Sequence, residues 1–137
     1  MSIDELAETF EFLGDWEERY KYLIDLGRKI PAMPDAEKTE ENKVRGCMSQ
    51  VWMTGELRST TPATLHFNGD SDSHLVKGLI AVLFVLVNDQ TPKQILATDV
   101  AEVFTRLGLE SNITVNRRNG FFSMVERIKQ LAVQHAA

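Results

Sequence analysis

The chain has little cysteine, no surplus of positive charge and no long apolar run, and each shortage excludes something. Its 137 residues include a single Cys, Cys47. That rules out an intramolecular disulfide framework and any zinc or iron–sulfur site built from several thiolates of one chain. Lys and Arg number 15 against 20 Asp and Glu, for a formal charge of −5. The basic surplus that holds nucleic acid or anionic lipid is therefore missing, and neither nucleic acid nor a membrane is expected as a partner. The most apolar stretch, residues 75–87, is interrupted by Lys77 and Gly78. It is too short to cross a hydrocarbon core of ~30 Å and reads as a buried helix. Asp4 and Glu5 stand where a secretory signal carries positive charge, so a cytoplasmic protein is expected.

The balance of 43% hydrophobic and 26% charged residues over this length fits one compact domain, residues 1–137. The order of elements can be read from caps and periodicity. Ser2 before Asp4 and Glu5 starts a helix whose apolar face is Ile3, Leu6, Phe10 and Leu13, and Gly14 ends it. Asp15 with Glu18 resembles a capping box for a second helix, striped with Trp16, Tyr20, Leu23 and Ile24 and running to about Gly27. Residues 30–42, with Pro31 and Pro34, show no apolar period and read as an exposed connection.

From Val51 the pattern alternates, with Val51, Met53 and Leu57 on one face; Ala63, Leu65 and Phe67 alternate in a second strand that Gly69 and Asp70 are expected to break. Ser71, Asp72 and Ser73 offer caps for the apolar helix from about His74 to Val87. Thr91 with Pro92, and Asp99 with Glu102, start two short helices, the second ending near Gly108. A last helix is expected after NRRNG (116–120), burying Phe121, Val125, Ile128, Leu131 and Ala132. Helices, then a hairpin, then more helices describe an α+β fold with a small antiparallel sheet flanked by N-terminal and C-terminal helices.

Cys47 lies in KVRGCMSQVW, after Gly46 and before the first strand, in a loop rather than on a periodic face. Loops carry exposed reactive groups, although an isolated Cys is also often a small buried hydrophobe. A thiol with a pKa of ~8.5 is mostly protonated at neutral pH and reacts as the thiolate, so a nearby cation matters. Arg45 is the nearest in sequence. His66, His74 and His135 have no ligand spacing and read as surface residues; Asp4 with Glu5, and Glu17 with Glu18, read as solvated helix faces.

The segment GCMSQVW (46–52) resembles the active-site segment of the SufE family of sulfur-acceptor proteins, whose pattern is close to G-C-x-S-x-V-W. GDSDSHLVKGLIAVL (69–83), the LGL…ITVNRRNG stretch (107–120) and the WEERY start are similar to the same family, in the same order. The resemblance implies a SufE/IscU-like fold. It implies that Cys47 takes sulfane sulfur from the persulfide of a pyridoxal-phosphate-dependent cysteine desulfurase, SufS-like or CsdA-like, stimulates that enzyme, and passes the sulfur to an iron–sulfur scaffold or other acceptor. It makes the protein a sulfurtransferase subunit rather than a free-standing enzyme.

The same resemblance assigns supporting roles. Arg117 matches an arginine expected near the cysteine, in the loop before the last helix; a solvated basic turn is the plainer reading. Asp72 matches the second aspartate of G-D-S-D, at a position that also suits a helix cap. Gly46 and Ser49 shape the loop, and Trp52 packs. Val115 departs from the family, which often has proline there. No cofactor is expected, since the chain has neither a Lys-centred pyridoxal-phosphate motif nor a ligand cluster for iron. A cluster scaffold would need three cysteine ligands. A thiol redox protein and a regulatory docking module that takes no sulfur are the other readings.

Overall fold

A computed structural model of the chain describes residues 2–46 and 49–135. Helix α1 (Ile3–Leu13) starts where the Ser2 hydroxyl accepts the Glu5 N–H at 3.2 Å and ends at Gly14, whose N–H makes the last helical bond to the Phe10 carbonyl and whose φ of 77° turns the chain out of the helix. Asp15 then caps α2 (Trp16–Lys29) by accepting the Glu18 N–H at 2.9 Å. Caps of this kind satisfy backbone donors that a helix start leaves open, worth about 1 kcal/mol each. Leu6 and Phe10 of α1 and Leu23 and Leu26 of α2 are buried.

The connection expected to be exposed is packed at several points. Met33 is buried, a single 3-10 turn spans Asp35–Glu37, and Asn42 and Val44 are stitched to the first strand. Periodicity could not show this, because each contact is made by one isolated residue.

Strands β1 (Val51–Arg58) and β2 (Thr64–Ser71) form an antiparallel hairpin, in register from Val51 opposite Ser71 to Arg58 opposite Thr64. Val51, Met53, Leu65 and Phe67 point into the core, whereas Leu57 at the hairpin end is substantially exposed. Strand β2 does not break at Gly69 and Asp70, which pair with Met53 and Trp52. A Cβ on Gly69 would lie 3.1 Å from Phe84 and 3.2 Å from Ile80, so its bareness lets the next helix lie close against the strand.

That helix, α3 (His74–Val87), is apolar nearly all round and forms the centre of the core. Its N-cap is Ser73, accepting the Val76 N–H at 3.4 Å, rather than Asp72. It crosses α2 at two glycines. A Cβ on Gly78 would sit 2.3 Å from the Leu23 carbonyl oxygen, and one on Gly27 2.7 Å from the Gly78 nitrogen, so the two backbones touch directly. Helix α4 (Pro92–Ala97) opens on the Thr91–Gln94 capping box, and α5 (Val100–Arg106) on Asp99, with Gly108 beyond its end at φ 73°.

The last helix, α6 (Val115–His135), begins before NRRNG instead of after it. The Thr114 hydroxyl accepts the Arg117 N–H at 3.3 Å and the Thr114 carbonyl the Arg118 N–H at 2.9 Å, which starts the helix ahead of Asn119 and Gly120. Gly120 is buried inside it. Tertiary packing thus overrides the turn signal of Asn-Gly. Phe121 stacks on Phe104 with ring centroids 4.4 Å apart, joining α6 to α5.

Candidate functional site

Cys47, the residue on which the sequence reading turns, lies outside the described residues, as does Met48. Both flanks are described. Upstream, the Val44 N–H donates to the Val51 carbonyl and the Met53 N–H to the Asn42 carbonyl, each at 2.8 Å, so residues 42–44 run as a short third ribbon along β1. Arg45 follows, exposed and paired with Glu40 at 3.2 Å. Gly46 has φ 87°, and a Cβ there would meet Ser123 Oγ of α6 at 2.7 Å. The positive φ at position 46 therefore calls for glycine, and any larger residue would also turn the Ser123 hydroxyl aside.

Downstream, the Gln50 N–H donates to the Asp72 carboxylate at 3.0 Å, and the Asp72 N–H donates back to the Gln50 carbonyl at 3.3 Å. Asp72 is thus no helix cap. It ties the chain leaving the cysteine segment to the link between β2 and α3. Its neighbour Ser73 accepts from Arg117 Nη1 at 3.2 Å, so the first turn of α6 is joined to the first turn of α3. Among the described residues Arg117 forms no ion pair, with Asp72 or any other carboxylate, and its guanidinium is held by Ser73. Arg117 is half-buried on a helix rather than on a loop.

Ser49 and Arg117 meet at a cavity of about 290 Å³ between α3 and α6. Val76, Leu79, Phe121 and Met124 give it apolar walls, while Thr114 and Asn116 add polar edges. The sequence reading did not collect these wall residues. They come from two helices far apart in the chain, and their apolar character alone marks them only as core.

Asp70 was also missed as a site residue. It is buried, with Oδ2 3.4 Å from Lys38 Nζ and Oδ1 3.4 Å from Lys77 Nζ. Burial pushes its carboxyl up. The Ser71 N–H, at 2.8 Å, and the two ammonium groups outweigh that and hold it below the ordinary value of 3.8. Lys38 also lies 5.5 Å over the Trp52 ring, so one lysine fastens the 30–42 connection to both strands. The G-D-S-D pattern contained this residue, but one of its partners, Lys38, is remote in sequence, and Lys77 reaches it only because α3 folds back against the end of β2.

Among the described residues, no three His, Cys, Asp or Glu side chains come together to hold a metal ion, and no helix is long and apolar enough to cross a membrane. His66 is tied to Asp89 at 3.1 Å instead of standing free on the surface.

The fold and its hydrogen bonds define an α+β protein that holds both flanks of a lone cysteine, the downstream one beside a small, mostly apolar cavity. The SufE profile, described as an Fe-S metabolism associated domain, matches residues 4–132. An uncharacterized SufE-like protein of Rhizobium etli is 41% identical over 137 residues, covering 99% of this chain and 93% of that protein. A second, of Rhizobium meliloti, is 39% identical over 132 residues, covering 96% and 94%. The chain belongs to the SufE family, which gives it a role in iron–sulfur metabolism. The solution structure of a hypothetical protein from Thermus thermophilus has the same fold, with a TM-score of 0.76 over 99% of this chain and 98% of that one at 17% identity.

Proposed function

We propose that the protein is a sulfur acceptor and carrier. Cys47 takes persulfide sulfur from a pyridoxal-phosphate-dependent cysteine desulfurase, and the protein thereby stimulates that enzyme and delivers the sulfur for iron–sulfur cluster assembly. The observation that carries the reading is that Ser49, two residues past Cys47, shares one cavity with Arg117, an arginine that no carboxylate among the described residues neutralises.

In the step itself, the Cys47 thiolate attacks the outer sulfur of the donor's Cys–S–SH. A new S–S bond forms on Cys47, the donor's S–S bond breaks, and the donor cysteine leaves as thiolate. One sulfur moves with its proton, no net electrons are exchanged, and the donor cysteine is freed for another turnover. Arg117 favours the anionic sulfur by its charge, and the apolar walls limit the access of water. Asp72 and Gly46 fix where the segment leaves and enters the framework. With no second Cys in the chain, a persulfide cannot be resolved internally into a disulfide.

The test is alanine production by the desulfurase from cysteine, with and without this protein. Wild-type protein is expected to raise the turnover and Cys47→Ser to leave it at the unstimulated rate. Equal stimulation by both would make the protein a docking module that takes no sulfur.

A further inference from the structure

A second cleft, of about 260 Å³, lies immediately upstream of Gly46. Lys43 and Arg45 form one wall, and Ser123, Glu126 and Arg127 of α6 contribute to the other. On a chain with a net charge of −5, the cleft brings together Lys43, Arg45 and Arg127 with one lining acid, Glu126. Arg45 is already paired with Glu40, but Lys43 and Arg127 have no ion pair among the described residues. Arg127 Nη2 donates to the Glu41 carbonyl at 3.2 Å, while its Nε is buried with no hydrogen-bond partner among the described residues. A buried guanidinium donor left open is destabilising until an acceptor reaches it. The wall that carries Lys43 is preformed, because Lys43 lies opposite Trp52 in a β-bridge.

We propose that this cleft receives a carboxylate side chain of the protein that donates sulfur to Cys47. The inference rests on the reading that Cys47 accepts sulfur from another protein. Any protein that reaches Cys47 must lie over the neighbouring surface, and the cleft begins only four residues upstream, at Lys43. A carboxylate supplies what is missing, a counter-charge for the Lys43 ammonium and for the Arg127 guanidinium, neither of which has an ion pair among the described residues. Glu126 lines the same cleft, and Glu40 holds Arg45 at its edge. A partner carboxylate displaced toward these acids meets repulsion, so the cleft sets register as well as attraction.

The probe is the cysteine desulfurase of the same organism, with Kd measured by calorimetry for wild type, Lys43→Gln, Arg127→Gln and Arg127→Lys from about 50 to about 500 mM salt. Wild-type affinity is expected to weaken with salt. The Gln variants should bind about tenfold more weakly with a flatter salt dependence, and Arg127→Lys should recover part of the loss. Lys43 contributes nothing to the core, so its variant decides the question even where Arg127→Gln proves poorly folded. Wild-type affinity and salt slope in folded Lys43→Gln would overturn the proposal. The sulfur-acceptor reading is judged separately, by whether wild-type Cys47 gains sulfur during turnover, whatever the variants bind.

Discussion

Asp72 and Gln50 hold each other, the Gln50 N–H donating to the Asp72 carboxylate at 3.0 Å and the Asp72 backbone N–H to the Gln50 carbonyl at 3.3 Å. This pair joins the end of the cysteine segment to the entry of α3. A charged acceptor makes the bond from Gln50 worth about 1.5 kcal/mol or more. Asp72→Ala is therefore expected to speed amide exchange at Gln50 by about tenfold. The fold should persist and sulfur acceptance from the desulfurase should slow. Unchanged exchange at Gln50 in the variant would show that this bond does not restrain the segment.

Arg117→Ala removes the link to Ser73 and part of the cavity lining. The stability loss should be about 1.5 kcal/mol for one hydrogen bond with a charged donor. The rate of persulfide formation should fall over the neutral pH range, with Arg117→Lys retaining part of it because the charge survives. Equal rates for wild type and Ala variant would return Arg117 to a purely structural part.

Gly78→Ala tests the α2–α3 crossing. Its added methyl would meet backbone atoms of Leu23 at 2.3 and 2.7 Å, which cannot move aside as a flexible side chain can. Overpacking of this kind costs about 1–3 kcal/mol, occasionally more. Chemical denaturation should show that loss at an unchanged m-value. A variant as stable as wild type would mean that the helices separate freely.

Asp70→Asn leaves two lysines without their shared carboxylate, and a loss of about 1–3 kcal/mol is expected at neutral pH. The folded carboxyl titrates below its unfolded value of 3.8. Its contribution is therefore complete above that value and is lost as pH falls through the lower, folded one. The difference between wild type and variant should be level from about pH 7 to about pH 5 and shrink below about pH 4. Urea midpoints measured along that series check it; a difference that shrinks on going from pH 5 to pH 7 would contradict the assignment.

Much of the architecture was legible because its signals are local. Thr91 with Pro92, Asp99 with Glu102, and Asp15 with Glu18 each mark a helix start through side chains within one turn, and each start is found there. What escaped was non-local. Asn119 and Gly120 read as a turn, yet α6 runs through them because Thr114 caps it earlier and Phe121 is anchored on Phe104. Gly69 and Asp70 read as a strand end, yet close packing against α3 and the lysine partners of Asp70 carry the strand on to Ser71. At the site, Cys47, Gly46, Ser49, Asp72 and Arg117 were named from one resemblance; the cavity walls and Arg127 needed three dimensions to be noticed.

The central claim concerns one sulfur on one residue. Incubation with the desulfurase and cysteine, followed by intact-mass and peptide mass spectrometry without reductant, measures it directly. Wild-type protein is expected to gain ~32 Da per sulfur on the peptide containing Cys47, reversibly by dithiothreitol, and Cys47→Ser to gain nothing. A wild-type protein that stimulates the desulfurase yet shows no added mass on that peptide would contradict the account.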